Sequence, residues 1–109
     1  MQEISRIPPN DLEAERAVLG SILLDPEVAG DVFEILRHED FYNHSNQLIY
    51  NCMEMLYDDA EAIDPLTVSD LLRKQKHLET VGGELSIAQL ADSVPTSAHA
   101  VHYAKVVRE

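Results

Sequence analysis

The chain has no tryptophan, one cysteine and four glycines in 109 residues, and only six of its residues are aromatic. The single cysteine, Cys52, excludes a disulfide within the chain and with it the stapled mini-folds. Basic residues are scarce: eight Lys and Arg stand against twenty Asp and Glu, a net charge of -12. A chain this acidic repels phosphate, so nucleic acid and anionic membranes are poor partners for it. No long apolar run exists. The longest, Ala17 to Leu24, is too short to span a bilayer. The opening MQEISRIPPN lacks a basic region followed by an apolar stretch, so it does not read as a secretory signal. These absences fit a cytoplasmic protein. The glycines, Gly20, Gly30, Gly82 and Gly83, form none of the patterns GxxxxGK[ST], GxGxxG or GxSxG, which excludes those phosphate cradles and that nucleophile turn.

What the sequence does contain is helical spacing punctuated by short breaks. Residues 1–11 read as an N-terminal extension, with Pro8-Pro9 extended and Asn10 or Asp11 as the cap of the first helix. Residues 12–109 read as one domain. That first helix runs from Leu12 to Leu24, with Leu12, Leu19, Ile22 and Leu23 near one face and Ala14 and Ala17 as small packing residues. Asp25-Pro26-Glu27 offers a cap, a first-turn proline and a first-turn acid. The second helix then carries Val28, Val32, Ile35 and Leu36. HEDFYNHSN is a loop ending in Ser45 as a cap. The third helix, Asn46 to Tyr57, places Leu48, Ile49, Cys52, Met53 and Leu56 on one stripe. Asp64-Pro65 repeats the cap-plus-proline device, with Thr67 as an alternative cap, and the fourth helix carries Val68, Leu71 and Leu72. Gly82-Gly83 is the strongest breaker. Beyond it Ile87, Leu90, Ala91 and Val94 share one spacing, and Ala100, Tyr103, Ala104 and Val107 share another. The short Val94-Pro95-Thr96 break between them predicts an antiparallel hairpin over 85–108. The fold class is therefore all-α, a compact bundle of about six helices ending in a C-terminal helical hairpin.

Chemistry is sparse. Cys52 lies in an apolar stripe and reads as a buried core residue rather than a nucleophile. His99 and His102 share a helix face and could begin the metal site of a small metal-assisted hydrolase, but no local carboxylate or cysteine completes it. Asp58, Asp59, Glu61 and Asp64 lack the glycine and spacing of a calcium loop and read as a solvated acidic connection. The final helix is apolar over a wide arc, with Ala98 and Val101 extending its stripe. Two readings fit: a second face that meets another chain, or a helix central in its own domain.

RIPPNDLEAERAVLGSILLD (Arg6 to Asp25), IDPLTVSDLL (Ile63 to Leu72) and the stretch from VGG at Val81 to YAKVV at Val107 occur in the order and spacing of one family. Together they resemble the N-terminal domain of the DnaB-type bacterial replicative DNA helicases. The resemblance implies an all-α collar domain with no catalytic, cofactor or metal residues of its own. ATP and magnesium would belong to a separate motor domain absent from these residues. Its partners would be itself, as a dimer and a trimer of dimers in a hexameric ring, and the C-terminal domain of primase, with no direct nucleic-acid or membrane binding. The pairing hairpin would offer Leu90, Val94, Tyr103, Ala104 and Val107 to a dimer interface. Primase docking would use Glu13, in LEAE, and Ser86, which stands in GGELSI where the family usually has tyrosine. His99 stands where the family usually has asparagine.

Overall fold

A computed structural model of the chain describes residues 11–109. The extension at 1–10, with its proline pair and Asn10, lies outside the described residues. Asp11 caps α1 (Leu12–Leu24), its carboxylate accepting a 3.0 Å hydrogen bond from the Ala14 N–H. A short 3₁₀ turn at Pro26–Val28 leads into α2 (Ala29–Ile35), and Asp25 caps the turn as its Asp-Pro pattern suggests. Four more helices complete the order: α3 (His44–Asp58), α4 (Pro65–Lys74), α5 (Gly83–Ala91) and α6 (Ala100–Arg108). No strand occurs among the described residues. The fold is all-α, with six α-helices in the described residues.

α1 is the hub. It packs against α3, α5 and α6, and every residue from Ala14 to Leu23 except Arg16 is buried. A helix enclosed on most sides has little need of a polar face. Leu12, expected on the buried face, stands 43% exposed at the open end. Gly20 lets α1 approach α5 closely: a Cβ there would collide with the Leu90 carbonyl oxygen and lie 2.8 Å from Ser93 Oγ.

α3 begins two residues before the expected Asn46. Asn43, not Ser45, caps it, accepting from the Asn46 N–H at 3.0 Å. Asparagine is among the strongest N-caps. The Ser45 hydroxyl instead donates to the Thr80 carbonyl at 3.2 Å. Ile49, Cys52 and Met53 are buried as their spacing predicts, and Leu48 and Leu56 are half-buried. Tyr50 is also fully buried. Its hydroxyl donates to the Leu36 carbonyl at 3.0 Å, and its ring lies 4.7 Å from Phe41 and 5.2 Å from Phe33. Burial first, and then the negative charges of Glu54 and Asp40, hold the Tyr50 hydroxyl protonated far above its ordinary range.

Asp64 and Thr67 share the start of α4 in a reciprocal capping box: Thr67 N–H donates to Asp64 at 2.8 Å, and Asp64 N–H donates to Thr67 Oγ1 at 2.9 Å. α3 and α4 end alike. Ala60 (φ 57°) and Lys76 (φ 66°) take left-handed conformations, and the next N–H reaches back five residues, Glu61 to Leu56 and His77 to Leu72, each at 2.8 Å. This is a C-terminal closure usually given to glycine. Gly82 and Gly83, at φ 102° and 83°, supply the positive φ needed to enter α5.

The last two helices come in the expected order, joined by residues 92–99, but each buries its apolar face on α1, and the contact between them is sparse. α6 also packs on α2, where Arg108 donates to the Ile35 carbonyl at 2.7 Å. Ser97 Oγ lies 3.2 Å from Asp25 Oδ2, tying the connection to the start of α2. The inner stripe of α6, Ala100, Ala104 and Val107, is buried in the chain's own core, while Ala98 is exposed and Val101 and Tyr103 are half-buried.

Candidate functional site: two hollows beside Arg16

A groove of about 430 Å³ runs between the first turns of α1, the 92–99 connection and the outer face of α6. It brings together three residues singled out from the sequence: Glu13 on α1, Val94 in the connection and Tyr103 on α6. Glu13 is exposed, and Val94 and Tyr103 are half-buried. The helix spacing that buries Ala14, Ala17 and Val18 on α1 leaves Glu13 and Arg16, three residues apart, facing the groove. His102 lies on the same wall. Its ring centroid is 6.0 Å from that of Tyr103, and that of His99 is 6.4 Å away on edge.

A second hollow of about 230 Å³ lies on the other side of Arg16, lined by Leu12, Asn43, Ile49, Ser86 and Leu90 among others. Arg16 lines both hollows. Glu13 and Ser86, expected to act together, therefore sit in neighbouring hollows with a cation between them. Sequence reasoning does not single out Arg16 as a site residue. Its signal is that it is the only basic residue of Leu12–Leu24 and lies one helical turn from Glu13.

The remaining candidates sit elsewhere. Ala104 is fully buried, Leu90 is 2% exposed and Val107 8%. Their side chains already serve this chain's core, so they present little surface to a second copy; the exposed part of the expected interface reduces to Tyr103 and Val94. Among the described residues no third His, Cys, Asp or Glu joins His99 and His102 in a group able to hold a metal ion. No helix among those residues is long and apolar enough to cross a membrane.

Cys52 is buried in the core, 3.4 Å from Gln75 Oε1. Burial pushes its thiol up to about 11, the opposite of what a nucleophile requires. The groove at α1 and α6 holds a carboxylate, a guanidinium and an aromatic ring with its hydroxyl.

The comparisons with known proteins agree with this architecture. Residues 7–109 match the model of the DnaB-like helicase N terminal domain. A protein of Geobacillus stearothermophilus named replicative DNA helicase DnaB is 43% identical over 104 residues. One of Bacillus subtilis named replicative DNA helicase DnaC is 45% identical over 104 residues. Each match covers 95% of this chain, which spans 23% of the length of these curated relatives. The crystal structure of the N-terminal domain of DnaB helicase from Mycobacterium tuberculosis superposes with a TM-score of 0.90 at 40% identity, covering 93% of this chain and 70% of that one. With the fold, the helix order and the sequence in accord over nearly its whole length, the chain belongs to the DnaB-like helicase N-terminal domain family.

Proposed function

We propose that this chain is the non-catalytic collar module of a replicative DNA helicase, working in ring assembly and in docking primase at the replication fork. ATP, magnesium and the grip on DNA belong, in this reading, to helicase residues outside these 109. The observation that carries it is the groove in which Glu13, Arg16 and Tyr103 meet on a domain of this family. An exposed acid and base flanking an amphipathic aromatic are suited to a protein partner: the ring supplies contact area, and the charges fix register and partner choice. Ser86 offers only a small hydroxyl to the neighbouring hollow, so Glu13, Arg16 and Tyr103 carry the docking.

Calorimetric titration of the chain with the C-terminal domain of its cognate primase tests the docking. Binding weakened at least tenfold by Glu13→Ala and by Tyr103→Ala supports it. An absence of binding at high micromolar concentration overturns it. Light scattering across a concentration series tests self-association through Val94 and Tyr103, and a strict monomer at the same concentrations overturns that part.

A further inference from the structure

The outer face of α3 carries a second recognition surface that shares no lining residue with the groove at α1 and α6. Two hollows, of about 390 and 260 Å³, lie along it and meet at Met55, which lines both. The floor of the first is apolar: Phe33 is half-buried, and Met55 and Tyr57 are 40% and 49% exposed. Leu56 and Leu71 continue that floor in the second. The Phe33 and Tyr57 rings meet edge to face with centroids 5.0 Å apart, and the Tyr57 hydroxyl end lies against Gly30 of α2, which fixes the ring's place on the surface.

Six carboxylates line the two hollows: Glu39, Glu54 and Asp58 in the first, and Asp59, Glu61 and Asp70 in the second. The basic groups among the lining residues are Arg37, His38 and Lys74. His38 is already turned toward Glu54 at 2.8 Å, and Lys74 lies 3.5 Å from Asp70. The bias runs through the segment: residues 31–61 contain eight acids and one Arg or Lys, a net of -7 of the chain's -12. An exposed apolar trough whose rim is dominated by one sign of charge marks an interaction site, and the dominant charge sets the sign of the partner.

We propose that this trough docks a basic amphipathic helix of a partner protein. Residues 51–59 span a little over two helical turns, the length over which a partner helix presents apolar anchors at i, i+3 or i+4, and i+7. Those anchors would lie on Phe33, Met55, Tyr57 and Leu71. The flanking lysines or arginines would lay their methylenes along Tyr57 and their charged heads beside Glu54 and Asp58.

The test is binding of the 109-residue chain to three synthetic probes in 150 mM salt, followed by calorimetry and amide chemical shifts. The probes are a 14-residue leucine–lysine helix with its leucines on one face, its leucine–glutamate counterpart, and a lysine-only peptide of equal charge. Binding of the first alone, with shift changes centred on Phe33, Met55 and Tyr57, supports the proposal. So does a loss of at least tenfold in Tyr57→Ala and in the double variant Glu54→Gln with Asp58→Asn, with the charge-matched Glu79→Gln, Asp92→Asn control within twofold of the parent. Gly30→Ala guards against loss of fold: alanine favours the helix at this first-turn position of α2, yet its Cβ would come 2.8 Å from the Tyr57 hydroxyl and move the ring, so binding falls while the helices stay intact. Equal binding of the lysine-only peptide, unchanged binding in the trough variants, or shift changes centred elsewhere overturns it. Self-association of the chain with shifts at Met55 and Tyr57 gives the trough to a second copy and overturns it equally. Primase titration of the same variants keeps this outcome separate from the reading of the α1–α6 groove.

Discussion

The carboxylate of Glu15 on α1 accepts a 2.9 Å hydrogen bond from the side-chain amide of Asn46 on α3, and both residues are buried. The same carboxylate accepts from the backbone N–H groups of Tyr42, at 2.6 Å, and Asn43, at 3.3 Å. One buried charge thus gathers three donors at the positive end of α3, where the helix dipole adds to the attraction.

Replacing Glu15 with alanine strands the Asn46 amide in the interior and takes the acceptor from two part-buried N–H groups. The expected loss is about 1–3 kcal/mol, the usual cost of leaving buried donors unsatisfied. Glu15→Gln keeps an acceptor oxygen but brings its own N–H donors into a cluster of donors, so it also destabilises, by less. Urea unfolding followed by circular dichroism measures both. A loss below about 1 kcal/mol for Glu15→Ala would contradict the role given to the carboxylate.

Gly20→Ala opposes helix propensity to packing. Alanine in a helix interior gains up to about 1 kcal/mol over glycine. Here its Cβ would strike the backbone carbonyl of Leu90, which cannot swing aside as a side chain can. Net destabilisation of about 1–3 kcal/mol is expected from the overpacking. A thermal midpoint equal to or above the parent's would show that α1 and α5 separate easily.

Glycine should help where the chain uses positive φ without it. Ala60→Gly and Lys76→Gly each remove a left-handed cost of about 1–2 kcal/mol, offset by the greater freedom of glycine in the unfolded chain. A net gain of about 0.5–1 kcal/mol apiece is expected, additive because the sites close different helices. Denaturant midpoints of the two single variants and the double variant decide it.

Leu90→Ala and Tyr103→Ala separate core from surface. Leu90 is 2% exposed, and its truncation should cost about 2–5 kcal/mol in stability. Tyr103 is half-buried at the groove wall. Its truncation should cost less stability and mainly weaken partner binding. The pair is read by unfolding and by primase titration side by side. Equal loss of stability would place Tyr103 in the core.

Alkaline pH should loosen the fold through Cys52. In the unfolded chain the thiol ionises near 9.0; burial in the fold moves this to about 11. Between those values the unfolded chain has lost a proton that the folded chain keeps, so rising pH favours unfolding. The contribution is complete below pH 9 and falls away as pH rises through about 11, by a few kcal/mol. Tyr50 acts in the same sense, because its hydroxyl is also raised. Denaturant midpoints from pH 8 to 11 should decline less steeply in Cys52→Ala. At pH 8 a thiol reagent should label Cys52 only after denaturant is added.

Much of the helix pattern is legible because single side chains announce it. Asp11, Asp64 and the Gly82-Gly83 pair mark ends by local chemistry, and the starts of α1, α4 and α5 come from them. Asn43 and Ser45 are both good caps, and only the packed loop chooses the asparagine over the serine. Tyr50 and Glu15 escape the sequence pattern as core members for another reason. Their burial depends on partners far along the chain, Leu36 and Phe41 for one and the start of α3 for the other, which no spacing rule encodes. The candidate site is half legible. Spacing marks Leu90, Ala104 and Val107 as apolar, but it cannot say whether an apolar stripe faces its own domain or another. The hub position of α1 makes that choice.

That hub is the first helix of the described residues, and α6, which packs along it, is the last of them. On the ribosome α1 leaves the exit tunnel long before Ala100–Arg108 is synthesised. Its nearly all-buried surface must wait, uncovered, while the intervening helices are made. Closing the core therefore joins residues some ninety positions apart, a late step that local helix formation cannot hasten. A nascent chain paused before Ala100 would hold its most buried helix half-wrapped, and that is the stage at which a chaperone would find it.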